Sequence, residues 1–214
     1  MSKIKRIIIV FTLLTGFTAF SFGESFYSLT TGLYRFSETY LDEAYGRELD
    51  GLNVNFSLTY FPQKFFLGFF LQTSFQGFIN GYEWGDTAAM KNLESTIYDI
   101  RFYMAPSARL KLGNKLRIPL SLGLVVPLFR EESWSSSNFY EVIGMGLFLD
   151  AALVFNPSRW FFLRHGFTVE WDFLHAERGI MDSQLRNFQT IRYSVPSYAA
   201  FFGSIYFGIG IRIE

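Results

Sequence analysis

Hydrophobic and polar residues alternate along most of the chain. In segment 52–60, LNVNFSLTY, every second residue is apolar or aromatic, and the residues between them are Asn, Ser or Thr. A period of two places successive side chains on opposite faces of a β-strand. The pattern predicts eight strands, at about 26–36, 52–61, 65–79, 96–112, 115–129, 142–155, 160–173 and 191–213.

The connections between these predicted strands are alternately short and long. Turn-forming residues occupy the short connections at 61–64, 113–114 and 156–159, and longer polar segments lie at 37–51, 80–93, 130–141 and 174–190. Membrane barrels join their strands by short turns on the periplasmic side and longer loops outside. The sequence therefore predicts an all-β fold, an eight-stranded antiparallel up-and-down transmembrane β-barrel formed by residues 24–214.

The alternation does not by itself say which face of the strands meets water. The sets of alternating apolar residues in the eight predicted strands, such as Tyr27, Leu29 and Leu33 in the first, contain no Asp, Glu, Lys or Arg, and the other face combines charges with many Gly and Ser residues. Gly weakens a strand, so an outer face has no need of it, whereas the lumen of an eight-stranded barrel is narrow. We therefore expect the apolar face to contact lipid, with a soluble lipocalin-like barrel as the alternative.

Strand length and aromatic residues support the membrane interpretation. A spanning strand needs about 9–11 residues, and several of the predicted strands are longer. Aromatic residues, which form girdles at the two membrane interfaces, gather near strand ends: Tyr27, Tyr60, Phe61, Phe65, Trp160, Phe161, Trp171, Phe173 and Tyr193.

On these patterns, residues 24–214 resemble the small eight-stranded outer-membrane barrels, the group that includes OmpX, the OmpA transmembrane domain, OmpW and the opacity proteins. The resemblance implies a position in the cell outer membrane, surrounding lipid and insertion by the barrel-assembly machinery. It departs from the group at the end of the chain, which closes with IRIE at 211–214 instead of an aromatic residue.

The N-terminus and the composition narrow the possible functions further. Lys3, Lys5 and Arg6 precede an apolar run at 7–22, which predicts a signal peptide, residues 1–23, cleaved after Gly23. An anchor helix is the alternative, although the run is shorter than the roughly 20 residues that span a bilayer. The formal net charge of zero gives no indication of nucleic-acid binding, and the absence of Cys with only two His gives none of a metal or cofactor.

Charged residues on the inward face are the first candidates for function. We expect a lumen ion-pair network formed by Asp99, Arg101, Asp150, Arg164, Glu170 and Asp172. The alternative is a polar path through the lumen, which would make the protein a narrow channel for small or hydrophobic solutes. The network is favoured because so narrow a barrel is filled by its own side chains.

Four basic residues surround the turn at 113–114, namely Arg109, Lys111, Lys115 and Arg117. We expect a solvated basic rim at the periplasmic mouth, with binding of a periplasmic anion as the alternative.

The long loops are the remaining candidates. Their aromatic residues Tyr40, Tyr45, Trp84 and Trp134 are predicted extracellular contacts for a host or surface ligand, because binding residues concentrate on loops held by a rigid scaffold. A lipid-modifying enzyme is a third hypothesis, with His175 beside Asp172, Asp182 and Ser183. Such a group is unspecific, so the sequence favours a non-enzymatic role in membrane structure and surface interaction.

Overall fold

The structure is a computed structural model that describes residues 23–40, 45–62, 65–85, 88–92, 96–133, 139–180, 191–194 and 198–213. The predicted signal peptide, apart from Gly23, lies outside the described residues. None of these segments contains a helix long and apolar enough to cross a membrane. The described strands are β1 (Gly23–Tyr40), β2 (Tyr45–Pro62), β3 (Leu67–Gly85), β4 (Ala88–Asn92), β5 (Thr96–Leu112), β6 (Leu116–Ser133), β7 (Phe139–Phe155), β8 (Phe161–Ile180), β9 (Ile191–Ser194) and β10 (Tyr198–Ile213).

Eight long strands close into a barrel. Neighbouring strands pair antiparallel in the order β1, β2, β3, β5, β6, β7, β8 and β10. The barrel closes because β10 pairs with both β8 and β1. An open sheet would leave backbone N–H and C=O groups without hydrogen bonds along its two edge strands. Closure supplies those hydrogen bonds, which a bilayer requires because its core contains no water. The predicted eight-stranded antiparallel barrel is confirmed.

The two short strands differ from the prediction. β4 pairs with β3, and β9 pairs with β8, so each extends a hairpin beyond the closed wall. The sequence pattern placed β4 in a loop and merged β9 with β10. Both strands have only four or five residues, too few for alternation to identify them.

Much of the sequence predicted as long loops is paired strand. β1 and β2 remain in register up to the pair formed by Tyr40 and Tyr45. β7 and β8 remain paired, with a register shift between Met145 and Gly146, up to the pair formed by Phe139 and Ile180. The polar composition misled the prediction because ladder hydrogen bonds are made by the backbone, whatever the side chains. The long strands have 16–20 residues, which at about 3.3 Å per residue and a tilt of about 40° gives a wall about 40–50 Å tall.

The side chains on the two faces of the wall differ as the membrane interpretation requires. Phe56, Leu120 and Leu147 are 36–40% exposed on the outside, whereas the adjacent Asn55 and Ser121 are at most 2% exposed. A soluble lipocalin-like barrel would have the opposite arrangement, so that alternative is wrong.

One aromatic residue was assigned to the wrong face. Phe61 is 2% exposed and lies inside the barrel with Phe26 and Phe162, so it does not belong to an interfacial girdle.

An exposed ion pair marks the limit of the apolar outer surface toward the loops. Arg35 and Asp50 lie opposite each other on β1 and β2, with Arg35 Nε 2.8 Å from Asp50 Oδ1. The outward positions from Leu52 to Tyr60 on the membrane side of the pair are apolar or aromatic. Because Arg35 donates to the Asp50 carboxylate, it lowers the pKa of Asp50.

The opposite end of the barrel has tight turns. Leu112 and Leu116 pair across the β5–β6 hairpin, and Gly113 between them has a φ of 81°. That left-handed conformation suits glycine, which has no Cβ to clash. We call this end the turn end and the opposite one the loop end.

Candidate functional site

The lumen contains three layers of charged side chains, which we describe from the turn end upward. In the turn-end layer, Glu24 of β1 accepts hydrogen bonds from three arginines. Its Oε2 accepts from Arg109 and from Arg117 Nη1 at 2.9 Å, and its Oε1 accepts from Arg212 Nη2 at 3.3 Å. One carboxylate is therefore shared among three guanidinium groups.

Aromatic rings support the turn-end arginines. The guanidinium carbon of Arg109 lies 4.4 Å from the ring centre of Phe61, and that of Arg117 lies 5.1 Å from the ring centre of Phe26. These are cation–π distances. Both arginines consequently lie inside the barrel and not on its rim.

The prediction of a solvated basic rim is wrong for two of its four residues. Arg109 and Arg117 are 5% and 6% exposed, because their side chains point into the lumen toward Glu24. Lys111 and Lys115 are exposed at the turn, as expected. Sequence reasoning missed Glu24 because the predicted first strand began two residues later, although Glu24 continues the inward alternation of that strand.

The middle layer is built around Asp150 of β7 and Arg164 of β8. Arg164 Nη2 donates to Asp150 Oδ1 at 2.6 Å. Asp150 Oδ2 also accepts from Tyr206 OH at 2.5 Å and from Thr168 Oγ1 at 3.1 Å, and Arg164 Nη1 lies 3.3 Å from Ser57 Oγ. The layer therefore joins three neighbouring strands to β2 across the lumen.

The loop-end layer reverses the charge ratio of the turn-end layer. Arg101 of β5 donates from Nε to Asp99 at 2.9 Å, and from Nη1 to Glu170 at 2.9 Å and to Asp172 at 3.1 Å. Tyr103 OH donates to the second oxygen of Glu170 at 2.6 Å. Here one guanidinium is shared among three carboxylates.

The six predicted lumen charges thus fall into two separate layers. Asp150 and Arg164 form the middle one, and Asp99, Arg101, Glu170 and Asp172 form the loop-end one. In these ion pairs, three arginines share one carboxylate in the turn-end layer, and three carboxylates share one arginine in the loop-end layer.

Apolar side chains fill the space between the charged layers. One cluster at the loop end includes Tyr34, Phe36, Phe78 and Phe202, and a second below it includes Phe70, Tyr103 and Phe148. A water-filled channel would expose the side chains that line it, yet Arg101 and Arg164 are at most 2% exposed. Side chains therefore fill the lumen at the level of these two arginines.

The predicted loop contacts lie at the far end of the wall. Tyr40 pairs with Tyr45 at the tip of the β1–β2 hairpin, and Trp84 of β3 pairs with Gly46 beside it. The structure thus places three of the four positions at the same end of the wall, and Trp134 lies outside the described residues.

The hypothetical catalytic group is not assembled in the described part of the chain. His175 is a strand residue of β8 that pairs with Gly144, and Asp182 and Ser183 lie outside the described residues. Across the segments that the structure covers, no three His, Cys, Asp or Glu side chains are placed to hold a metal ion.

The comparisons with known proteins concern the fold. No family model and no curated protein matches the chain. A major outer membrane protein from Thermus thermophilus is similar with a TM-score of 0.54 at 10% identity, over 86% of this chain and 99% of that one. Neisserial surface protein A is similar with a TM-score of 0.51 at 11% identity, over 87% of this chain and 96% of that one. With its apolar outer surface and closed strand order, the chain therefore has the fold of a small eight-stranded outer-membrane β-barrel.

Proposed function

We propose that this protein is a non-enzymatic outer-membrane barrel that closes its own lumen and acts in surface interaction through the loop end. The observation that carries the proposal is the height of the wall. The apolar band on the outside of such barrels is about 25 Å tall. That is about half of the wall height of about 40–50 Å that follows from strand length and tilt. The rest of the wall stands clear of the hydrocarbon, and the paired strands give it a defined shape.

The buried charges argue against the alternative of a narrow channel. A hydrated solute would have to separate Arg101 from three carboxylates and Arg164 from Asp150. Breaking a single buried ion pair costs about 3–5 kcal/mol, so a path through both layers would be blocked under ordinary conditions. Outer-membrane lipid around the apolar band and the barrel-assembly machinery are the further partners that this role requires.

The projecting wall provides a platform for a ligand on another cell or in the surroundings. The positions of Tyr40, Tyr45 and Trp84 lie at the same end of β1, β2 and β3, where Tyr40 pairs with Tyr45 and Trp84 pairs with Gly46. Tyr and Trp are the residues that most often dominate binding energy at protein interfaces. Rigid strands also reduce the ordering cost that a flexible loop would incur on binding.

Conductance measurements test the closed lumen. The purified barrel in a planar lipid bilayer is expected to give no stable single-channel steps. The channel alternative predicts steps in the wild type that change when Asp150 is replaced by Ala, and that result would overturn the proposal.

Adhesion measurements test the surface role. Cells that display the barrel are expected to retain a ligand or a second cell type, and Tyr40→Ser combined with Trp84→Ser is expected to reduce retention at least tenfold. Trp160→Ser is the matched control, because Trp160 is exposed at the turn end, away from the surface. Equal retention by both variants would contradict a role for the loop-end aromatics.

A further inference from the structure

A small cavity lies inside the lumen between the turn-end and middle layers. Its nine lining residues are Phe26, Thr59, Phe61, Arg109, Arg117, Pro119, Val154, Phe162 and Arg164. Three of these residues are arginines, one is a threonine, and none is a carboxylate. The cavity wall is therefore mainly apolar, and its three charged residues are all arginines.

The arginines around this cavity have donors to spare. Within the described part of the chain, no protein atom accepts a hydrogen bond from Nε of Arg109 or from Nε of Arg117, and both atoms are buried. The two residues are at most 6% exposed. A buried donor without an acceptor costs about 1–3 kcal/mol, and more when the group is charged.

The charge around the cavity is also unbalanced. Among the described residues, Glu24 pairs with both Arg109 and Arg117, and Asp150 is already engaged by Arg164. The two buried arginines of the cavity therefore share one carboxylate between them. Incompletely paired buried charge is strongly unfavourable, so a second negative charge beside these two guanidinium groups would be stabilised.

From these observations we propose that the turn-end lumen binds one small inorganic anion, a halide such as chloride, between Arg109 and Arg117. The size of the cavity selects this class. Its volume is ≈ 10 Å³, at the lower limit of what one water molecule needs, so only a monatomic anion could enter after small shifts of the lining side chains. Polyatomic anions such as sulfate or gluconate exceed that space. The inference is independent of the proposed surface role.

Stability against denaturant at constant ionic strength tests the site. The barrel isolated in detergent is unfolded with urea in mixtures of sodium chloride and sodium gluconate. We expect saturable stabilisation by chloride, with the unfolding constant about tenfold lower at ten times the dissociation constant than in gluconate alone. Equal stability in the two salts would overturn the proposal.

Two substitutions with opposite expected effects separate binding from general salt screening. Arg117→Met removes a donor and is expected to abolish the chloride dependence. Glu24→Gln removes the competing carboxylate, and is expected to lower the chloride concentration of half-saturation at least threefold. Lys115→Met is the control, because Lys115 is exposed and outside the cavity. An unchanged half-saturation in Glu24→Gln would overturn the proposal.

A crystallographic measurement on the wild-type chain requires no variant. Crystals grown or soaked in sodium bromide are expected to show an anomalous scattering peak between the guanidinium groups of Arg109 and Arg117. If Arg117→Met fails to fold, this peak still decides the question, since its absence at a resolution that defines both side chains would refute a halide site.

Discussion

Substitutions in the middle layer of the lumen provide the sharpest test of how buried charges hold this barrel together. Asp150 and Arg164 have side chains that are 0% and 2% exposed, and their closest N–O distance is 2.6 Å. With charge centres about 4 Å apart and an effective dielectric constant of about 20, their attraction is about 4 kcal/mol. Removing one partner leaves the other as a buried unpaired charge.

The two single substitutions are therefore expected to be costly. Arg164→Met and Asp150→Asn should each lower the free energy of unfolding by about 3–5 kcal/mol. The double variant should be less damaged than either single one. It contains no unpaired charge, and the amide oxygen of Asn at position 150 can still accept from Tyr206 and Thr168.

Guanidinium-induced unfolding of the barrel refolded into lipid vesicles, followed by tryptophan fluorescence, would measure these losses. Trp160 and Trp171 lie on the outer surface and report transfer from lipid to water. A coupling free energy of at least about 3 kcal/mol is expected from the double-mutant cycle. Lys111→Met, at an exposed position, should change stability by less than about 0.5 kcal/mol. Additive losses in the cycle would refute the view that the pair acts as one unit.

Three further predictions concern the wall. Gly208→Ala should destabilise the barrel by about 1–3 kcal/mol, because the added Cβ would overlap the backbone of β1. Gly203→Ala should be neutral in the same unfolding assay, because a Cβ at position 203 would meet no other atom. Leu122→Arg, in the middle of the lipid-facing side of β6, should lower the free energy of unfolding by about 2–4 kcal/mol, and Leu112→Arg at the turn by about 0–1 kcal/mol. Equal losses for the two variants would contradict the assigned membrane depth. The pKa of Asp50 is lowered in the folded barrel. The contribution of Asp50 to stability should therefore be present above its pKa in the unfolded chain and be lost as the pH falls through its pKa in the folded barrel. An NMR titration of the Asp50 carboxyl carbon would measure the folded value.

The architecture could be read from the sequence because it depends on local regularities. The period of two along segments such as 52–60 follows from strand geometry. The absence of charge from one face follows from the cost of placing Arg or Lys against lipid. Neither feature requires knowledge of which strands meet, so the existence of the eight long strands and the orientation of their faces were predictable.

Strand lengths were less predictable for a physical reason. Above the membrane the outer face of a strand no longer needs apolar residues, so alternation fades even though backbone pairing continues. The segments 37–51 and 174–190 were therefore predicted as loops, although β1, β2 and β8 occupy much of them.

The identity of the charge partners was decided by the tertiary structure alone. Sequence alternation placed Arg101 and Glu170 in the lumen, but they are 69 residues apart, and their contact depends on the register with which the closed sheet staggers its strands. The same holds for Glu24, which meets Arg117 from 93 positions away. The sequence determined that charges would be confined to a narrow interior. Only closure of the barrel determined that they would separate into a basic layer, a neutral layer and an acidic layer, because charge pairing acts across space and its partners are chosen by strand register.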